Sequence, residues 1–481
     1  MRHSLPEEPS LMNHPRRFPA GRIIGGLAVS VGFVSLSSFV ASACSSSSTT
    51  PEPEFTGVGA TVQVAAVISN GAGQKLKSFP VGGPPDPGAG AFYVTLSGES
   101  NALTGYPFPP DSFSADTYMV DGWQFNIDAY IVIVDKITLW ADPYFSITNQ
   151  SLHGPQVAHL NGPFVVDLHK GGALVGQGGE PEQATPIGVI ANQNDNGGAP
   201  FDPSTAYGFG FGTIPAGMPF AGYTGEVAGY DAINVNLDES ESADYAYMVA
   251  NGASVYYRGT AVWTGGASAC TQANAGSGAS DGGSEGGYDF SKEPENGMRF
   301  RFAFSTPTNY VNCQNAAPGA GVGIGGEEFP RGLQASTSQS VVAQVTVHMD
   351  HPFWQSFAED SPVHWDQIAA QYVGVRAADG GLIESHIDDF RGVPFQGFTD
   401  HQGAPLPWRN CAGTTNYMSP GNGQMFFSTL SIPVDPHATD PAKAIRDYYD
   451  YIRYTQSTQG HLNSQGLCYI DRQFPAPPGG S

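Results

Sequence analysis

The sequence predicts a mainly β protein: a β-sandwich-like core with long Gly/Pro-rich loops and two or three short helices. Three observations predict it. Gly (62) and Pro (38) are abundant while only 13% of residues are charged, and with 28 Phe and 21 Tyr this composition describes strands joined by many turns rather than a disordered chain. Several short segments alternate apolar and polar residues, the two-residue period of a half-buried strand. A chain of 481 residues also exceeds one small core, so two packed regions or one large β domain with long insertions are expected.

The chain opens on an address rather than on a fold element. Arg16, Arg17 and Arg22 precede an apolar run over residues 23–40, and Ala41-Ser42-Ala43-Cys44 follows. This is the layout of a basic segment, an apolar segment and a small-residue cleavage site. The ending resembles a bacterial lipobox. That resemblance implies a lipoprotein signal peptide over residues 1–43 and a lipidated Cys44, whose palmitate-like chains anchor an exported protein to a cell-envelope membrane, here read as the outer membrane. A plain transmembrane anchor is the alternative. Residues 44–54 are then the lipidated Cys and a flexible polar tether. Removing residues 1–43, with four Arg and two Glu, moves the formal charge from −24 to −26. Such a surface repels nucleic acid and attracts cations, so nucleic-acid binding is excluded.

Cys270, Cys313, Cys411 and Cys468 remain. In an exported chain an even set favours two disulfides, and the sequence-local pairing, Cys270 with Cys313 and Cys411 with Cys468, is expected. A thiolate metal site would need closely spaced pairs, which are absent.

Residues 55–265 read as an N-terminal β region. Residues 55–69 and 91–97 suggest the first two strands, separated by the Gly-Gly-Pro-Pro break at 82–85. In residues 121–128, Trp123, Phe125 and Ile127 alternate with Gln124, Asn126 and Asp128, a strand with one wet face. Residues 129–134 form an unbroken apolar run, fit for a strand buried on both faces, and residues 137–140 alternate again. Residues 165–168, 207–211 and 254–263 add short strands. Spaced by Gly and Pro turns, these resemble a two-sheet fold.

Residues 266–297 are a Gly/Ser-rich loop. Residues 298–481 read as a C-terminal β region with helices, packed with the N-terminal region. In residues 298–305, Phe300, Phe302 and Phe304 share one face and Arg299 and Arg301 the other, and this strand is expected to pair with the one beginning at Val341. A helix is expected from Ser361-Pro362, with Trp365, Ile368, Ala369 and Tyr372 as its apolar face before Gly374. A second is expected from Asp440-Pro441 to about Thr455, burying Ile445, Tyr448 and Ile452 and pairing Arg446 with Asp450 on the surface.

Candidate chemistry concentrates in residues 341–354, VVAQVTVHMDHPFW. On an extended strand His348 and Asp350 share a face, and Pro352 ends the strand just after His351. His348, Asp350 and His351, with His364 or Asp366 from the following helix, supply three or four N and O ligands, a set that suits copper or zinc. The histidines would ligate, Asp350 would ligate or orient a histidine, and Trp354 and Trp365 would exclude water. The plainer alternative is a His–Asp pair that only hydrogen-bonds at a strand end. Thr346-Val-His348-Met-Asp350-His351 also matches the second half of the H-x-H-x-D-H zinc motif of the metallo-β-lactamase fold. Thr346 replaces its first His, and that fold's α/β alternation is missing. Asp379 sits in a partial calcium-loop pattern, but Ala378 and Gly380 fall where carboxylates belong, so an ordinary turn is expected. His461, near Cys468, is a further candidate ligand. No nucleophilic Ser motif, phosphate loop or dinucleotide fingerprint occurs in its required context.

Four landmarks, DGWQFNIDAYIVIVDKITLW, RFRFAFSTPTNYVNC, VTVHMDHPFW and TQGHLNSQGLC, resemble a group of uncharacterised bacterial lipoproteins over most of residues 110–470. The first landmark is also similar to the copper-binding domain of methanobactin-associated periplasmic proteins, which have a β-sandwich-like core and His ligands. This similarity implies copper, without assigning a ligand or a catalytic residue. The expectation is an exported, lipid-anchored, non-catalytic protein that binds copper or zinc. The rival class is a surface recognition or structural lipoprotein holding polysaccharide or a protein partner, and a zinc-dependent hydrolase is the third.

Overall fold

The protein is described by a computed structural model covering residues 76–80, 82–106, 121–217, 232–264, 297–354, 363–393 and 447–474, with positions 119, 225, 227, 228 and 294. The strand expected at 55–69, the loop at 266–297 apart from residues 294 and 297, Ser361-Pro362, Asp440-Pro441, Ile445, Arg446, Cys44, Cys270 and Cys411 lie outside the described residues.

In chain order the elements are β1 (Lys77–Ser78), β2 (Phe92–Ser97), α1 (Glu99–Thr104), β3 (Trp123–Trp140), β4 (Gln156–Leu160), β5 (Phe164–Asp167), β6 (Leu174–Val175), β7 (Gln183–Ile190), β8 (Ala206–Thr213), β9 (Ile233–Asn234), α2 (Ser242–Asn251), β10 (Val255–Trp263), β11 (Met298–Phe304), β12 (Thr308–Val311), β13 (Leu333–Gln334), β14 (Val341–Val347), α3 (Asp366–Ala369), β15 (Ile383–His386), α4 (Tyr448–Gln456), β16 (Gly460–Leu462), β17 (Gly466–Leu467) and β18 (Tyr469–Arg472). The fold is mainly β, as the composition and alternation predict. One sheet has twelve strands along a spine β1-β9-β5-β3-β10-β11-β15, and the other has six, in the order β17-β16-β14-β2-β7-β6.

The spine of the larger sheet is β3. Its period is the expected one: Trp123, Phe125 and Ile127 are buried, whereas Asn126 and Asp128 are exposed. Further along, both faces are covered. Tyr130, Val132 and Val134 join the core shared with Phe92, Val94 and Leu96 of β2 and Val345 and Val347 of β14. Ala129, Ile131 and Ile133 join a second core with Tyr245 and Met248 of α2. The unbroken apolar run thus marks the stretch where a helix covers the back of the sheet. Each fully buried large side chain there stabilises the fold by roughly 1.5–3 kcal/mol.

Three expectations are corrected. The strand β11 pairs with β10 and β15, not with β14, which lies in the other sheet between β2 and β16. Their apolar faces meet in one core across the sandwich instead of joining edge to edge. The disulfide joins Cys313 to Cys468 rather than Cys313 to Cys270 or Cys468 to Cys411. Antiparallel pairing of β12 with β18, which sets Val311 opposite Tyr469, brings the residues after one strand beside those before the other. Asp450 is buried in the first turn of α4, where its N–H is capped by Asp447, rather than lying on the helix surface.

At the far end of β5, Glu241 is 2% exposed beside the fully buried Asp167. Lys170 donates to Glu241, and Asp167 accepts from the N–H groups of Tyr130 and His169. Burial, followed by hydrogen bonding and repulsion from Asp167, raises the Glu241 carboxyl from its ordinary 4.5 to about 8. The folded protein therefore keeps a proton that the unfolded chain releases. This contribution is fully present below pH 4.5, is lost as pH rises toward 8, and is level beyond. Glu241→Gln is expected to flatten that fall, which amounts to a few kcal/mol; denaturant titrations at pH 5, 6, 7 and 8 check it.

Candidate metal centre

Three chain segments meet at one end of the six-stranded sheet. Parallel pairing of β2 with β14 sets Ser97 opposite Thr346, so both strands leave the sheet at the same end and deliver Glu99 and His348 together. On the other side of β14, antiparallel β16 sets His461 opposite Thr346. The hairpin joining β16 to β17 turns through Asn463 and Ser464, both with positive φ, the left-handed conformation that tight hairpin turns use. Gly466 permits its close approach to the loop after β12, because a Cβ there would lie 2.0 Å from the Gln314 carbonyl oxygen.

The strand stops earlier than the sequence suggests. After Val347 the chain bends, and His351–Phe353 form a single 3₁₀ turn whose first position follows Asp350. Pro352 suits that turn because it needs no N–H partner there. His348 and Asp350 therefore do not share a strand face. Asp350 Oδ2 accepts from the Trp354 indole at 2.6 Å, and the His351 ring stacks on Trp354 at 3.7 Å.

The result is a buried imidazole group. Ligand atoms of His348, His351 and His461 lie within 4.8 Å of one another, and so do those of Glu99, His348 and Asp350. His348, His351 and His461 are 5%, 2% and 4% exposed. The His348 and His461 rings stack at 3.9 Å, and His351 stands edge-on to both. Such a group could hold a metal ion. Tetrahedral nitrogen ligands at about 2.0–2.1 Å from one ion are about 3.3 Å apart, a short closure from the observed spacing.

Hydrogen bonds select the tautomers. His348 Nε2 contacts the Ser464 carbonyl oxygen at 2.8 Å and Glu99 Oε1 at 3.2 Å. A carbonyl only accepts, so Nε2 carries the proton and Nδ1 the lone pair. His351 Nδ1 meets the Thr458 hydroxyl at 2.6 Å, and that hydroxyl donates its own proton to the Thr455 carbonyl. His351 therefore donates from Nδ1 and keeps its lone pair on Nε2, which stands 3.8 Å from Asp350 Oδ1. Neither ring nitrogen of His461 has a well-aligned hydrogen-bond partner.

Electrostatics keep the His351 and His461 rings neutral. His351 is pushed well below the ordinary histidine value by burial and then by His348 and His461. His461 is pushed the same way by burial and then by His348, against a smaller opposing effect of the backbone of Gln465 and Thr458. Neutral imidazole is the form that binds metal. The group opens on a cavity of about 460 Å³ lined also by Glu99, Glu180, Glu182 and Glu328.

Comparison with known protein families, curated proteins and solved structures finds no match for this chain.

Of the expected ligands, His348, His351 and Asp350 meet here. His364 does not. It is buried beside Asp121, 3.8 Å from its carboxylate, and burial lowers it to about 3. Asp366 accepts from the Trp123 indole instead. His461, read as a candidate only through its place near Cys468, is a full member. Glu99 carried no sequence signal, since a glutamate after a strand is unexceptional. Thr458→Val, which removes the acceptor that orients His351, is expected to weaken metal binding about 10–100-fold without unfolding the protein; competition titration with a chromophoric chelator measures it.

Proposed function

We propose that this is an exported, lipid-anchored bacterial envelope protein that holds one transition metal ion, copper or zinc, at His348, His351 and His461. The observation that carries this reading is His461: 4% exposed, with neither ring nitrogen in a well-aligned hydrogen bond, and stacked on a histidine whose own tautomer is set. An unpaired buried polar group costs about 1–3 kcal/mol, and an ion shared with His348 and His351 would remove that cost. Nitrogen ligands with carboxylates beside them suit Zn²⁺ or Cu²⁺ rather than Cu⁺, which favours sulfur. The formal charge of −24 and the glutamates of the cavity favour cation entry. The similarity of residues 121–140 to methanobactin-associated proteins adds weight to copper.

The recognition reading draws on a different place. Phe145, Ile147, Leu152 and Ile324 are about half exposed on two loops joined by a Gln150–Glu327 hydrogen bond. That apolar surface suits a protein partner better than polysaccharide, which is held on flat aromatic rings beside polar groups.

Elemental analysis of the exported, oxidised protein after dialysis against copper and zinc tests the metal reading. About one ion per chain is expected, with a higher melting temperature, because saturation at 100 times Kd adds about 2.7 kcal/mol. His461→Ala and a His348→Ala/His351→Ala variant should remain folded by circular dichroism and lose the ion. Parent protein that retains neither metal overturns the proposal.

A further inference from the structure

We propose that the centre, when it holds zinc, is hydrolytic and cleaves an ester or amide bond beside a positively charged side chain; this rests on the metal reading above.

Three observations carry it. The first is coordination. Three imidazoles leave a tetrahedral zinc ion one open position, the arrangement of catalytic rather than structural zinc. Here the three histidines, though buried, border a cavity of about 460 Å³, and it is from that cavity that water and substrate would reach the open position. Three neutral ligands also leave the ion's double charge in place, which acidifies a bound water.

The second is a positioned base. Asp350 Oδ2 is fixed by the Trp354 indole at 2.6 Å, while Oδ1 stands 3.8 Å from His351 Nε2, the nitrogen that carries the lone pair. A water on the ion would lie within reach of that oxygen. Glu99 has a different part. Its Oε1 is 3.2 Å from His348 Nε2, the protonated nitrogen, so it orients that ligand rather than meeting the water.

The third is the charge around the entrance. Glu180 and Glu328 are exposed at the cavity, and no lysine or arginine lines it among the described residues. Phosphate esters and acidic peptides are repelled, whereas a lysine- or arginine-bearing substrate is drawn in. Phe329 and Pro181 supply apolar wall for its stem.

The step balances without an oxidant or a reductant. With zinc supplying the acidification of a water, Asp350 would take one proton from that water as the water oxygen adds to the substrate carbonyl carbon. The bond from that carbon to the leaving oxygen or nitrogen then breaks. The leaving group takes the proton from Asp350, and the acid product leaves as a carboxylate after its remaining proton passes to solvent.

The test uses the full exported protein loaded with zinc alone. Zinc content is measured first, then turnover of lysyl and glutamyl aryl esters and aryl amides. Zinc-dependent turnover that prefers the lysyl compounds is expected. Asp350→Asn should keep about one zinc per chain and lose at least about 10²-fold in kcat. Glu180→Gln/Glu328→Gln, two exposed positions, should raise KM for the lysyl ester roughly 3–10-fold at low salt with kcat unchanged. Retained zinc with no turnover above the zinc-free protein overturns this inference and leaves the metal reading standing. Loss of zinc in Asp350→Asn makes Asp350 a ligand and overturns its role as base. Failure of the parent to retain zinc overturns this inference outright, and copper retention then decides whether the metal reading survives.

Discussion

The candidate site depends on one constraint, the parallel pairing of β2 with β14. Two parallel strands leave a sheet at the same end, and the register that sets Ser97 opposite Thr346 leaves Glu99 and His348 each two residues beyond its last paired position. An antiparallel pair in the same place would send the two side chains to opposite ends of the sheet. The third donor arrives by the opposite geometry: β16 runs antiparallel to β14, so His461 sits beside the strand end rather than beyond it. A site from residues far apart in sequence thus follows from strand direction alone.

Holding three imidazoles out of water costs stability unless their nitrogens are satisfied. Two of them have orienting partners, Ser464 and Glu99 for His348 and Thr458 for His351. Those partners belong to elements that the fold already fastens. Tyr130 donates to the carbonyls of Val347 and His348 and ties the end of β14 to β3 across the core. The Cys313–Cys468 bond and the Gln314 N–H to Leu467 carbonyl bond hold the β16–β17 hairpin that carries His461 and Ser464. The sandwich core and the imidazole group are parts of one packing arrangement.

A similar economy appears where α3 begins. The fully buried Asp121 accepts from the N–H groups of Trp365 and Asp366 at 2.5 and 2.7 Å and so caps a short helix from a distant segment. Trp365 then packs on Phe125 and Phe300, and Asp366 holds the Trp123 indole. The polar residues that surround His364 are therefore engaged in fastening the helix to β3, which explains why this histidine stands apart from the other three.

Much of the architecture was legible in the chain. Period-two alternation marks β3 and β11 because a strand between core and solvent must alternate, and the run at 129–134 announced burial on both faces. The concentration of ligands at His348, Asp350 and His351 was equally plain, since local crowding of such residues is visible without a fold. Partners across space were not. Which strand lies beside β14, which cysteine faces Cys313, and that Glu99 and His461 complete the group are questions of register and direction between segments up to hundreds of residues apart, and local pattern carries no record of them. The sequence by itself determined the β class, the apolar faces and two of the three histidines of the imidazole group. Only the tertiary structure decided the site, because parallel pairing and a positive-φ hairpin turn, not any residue's own character, bring its donors within reach of one ion.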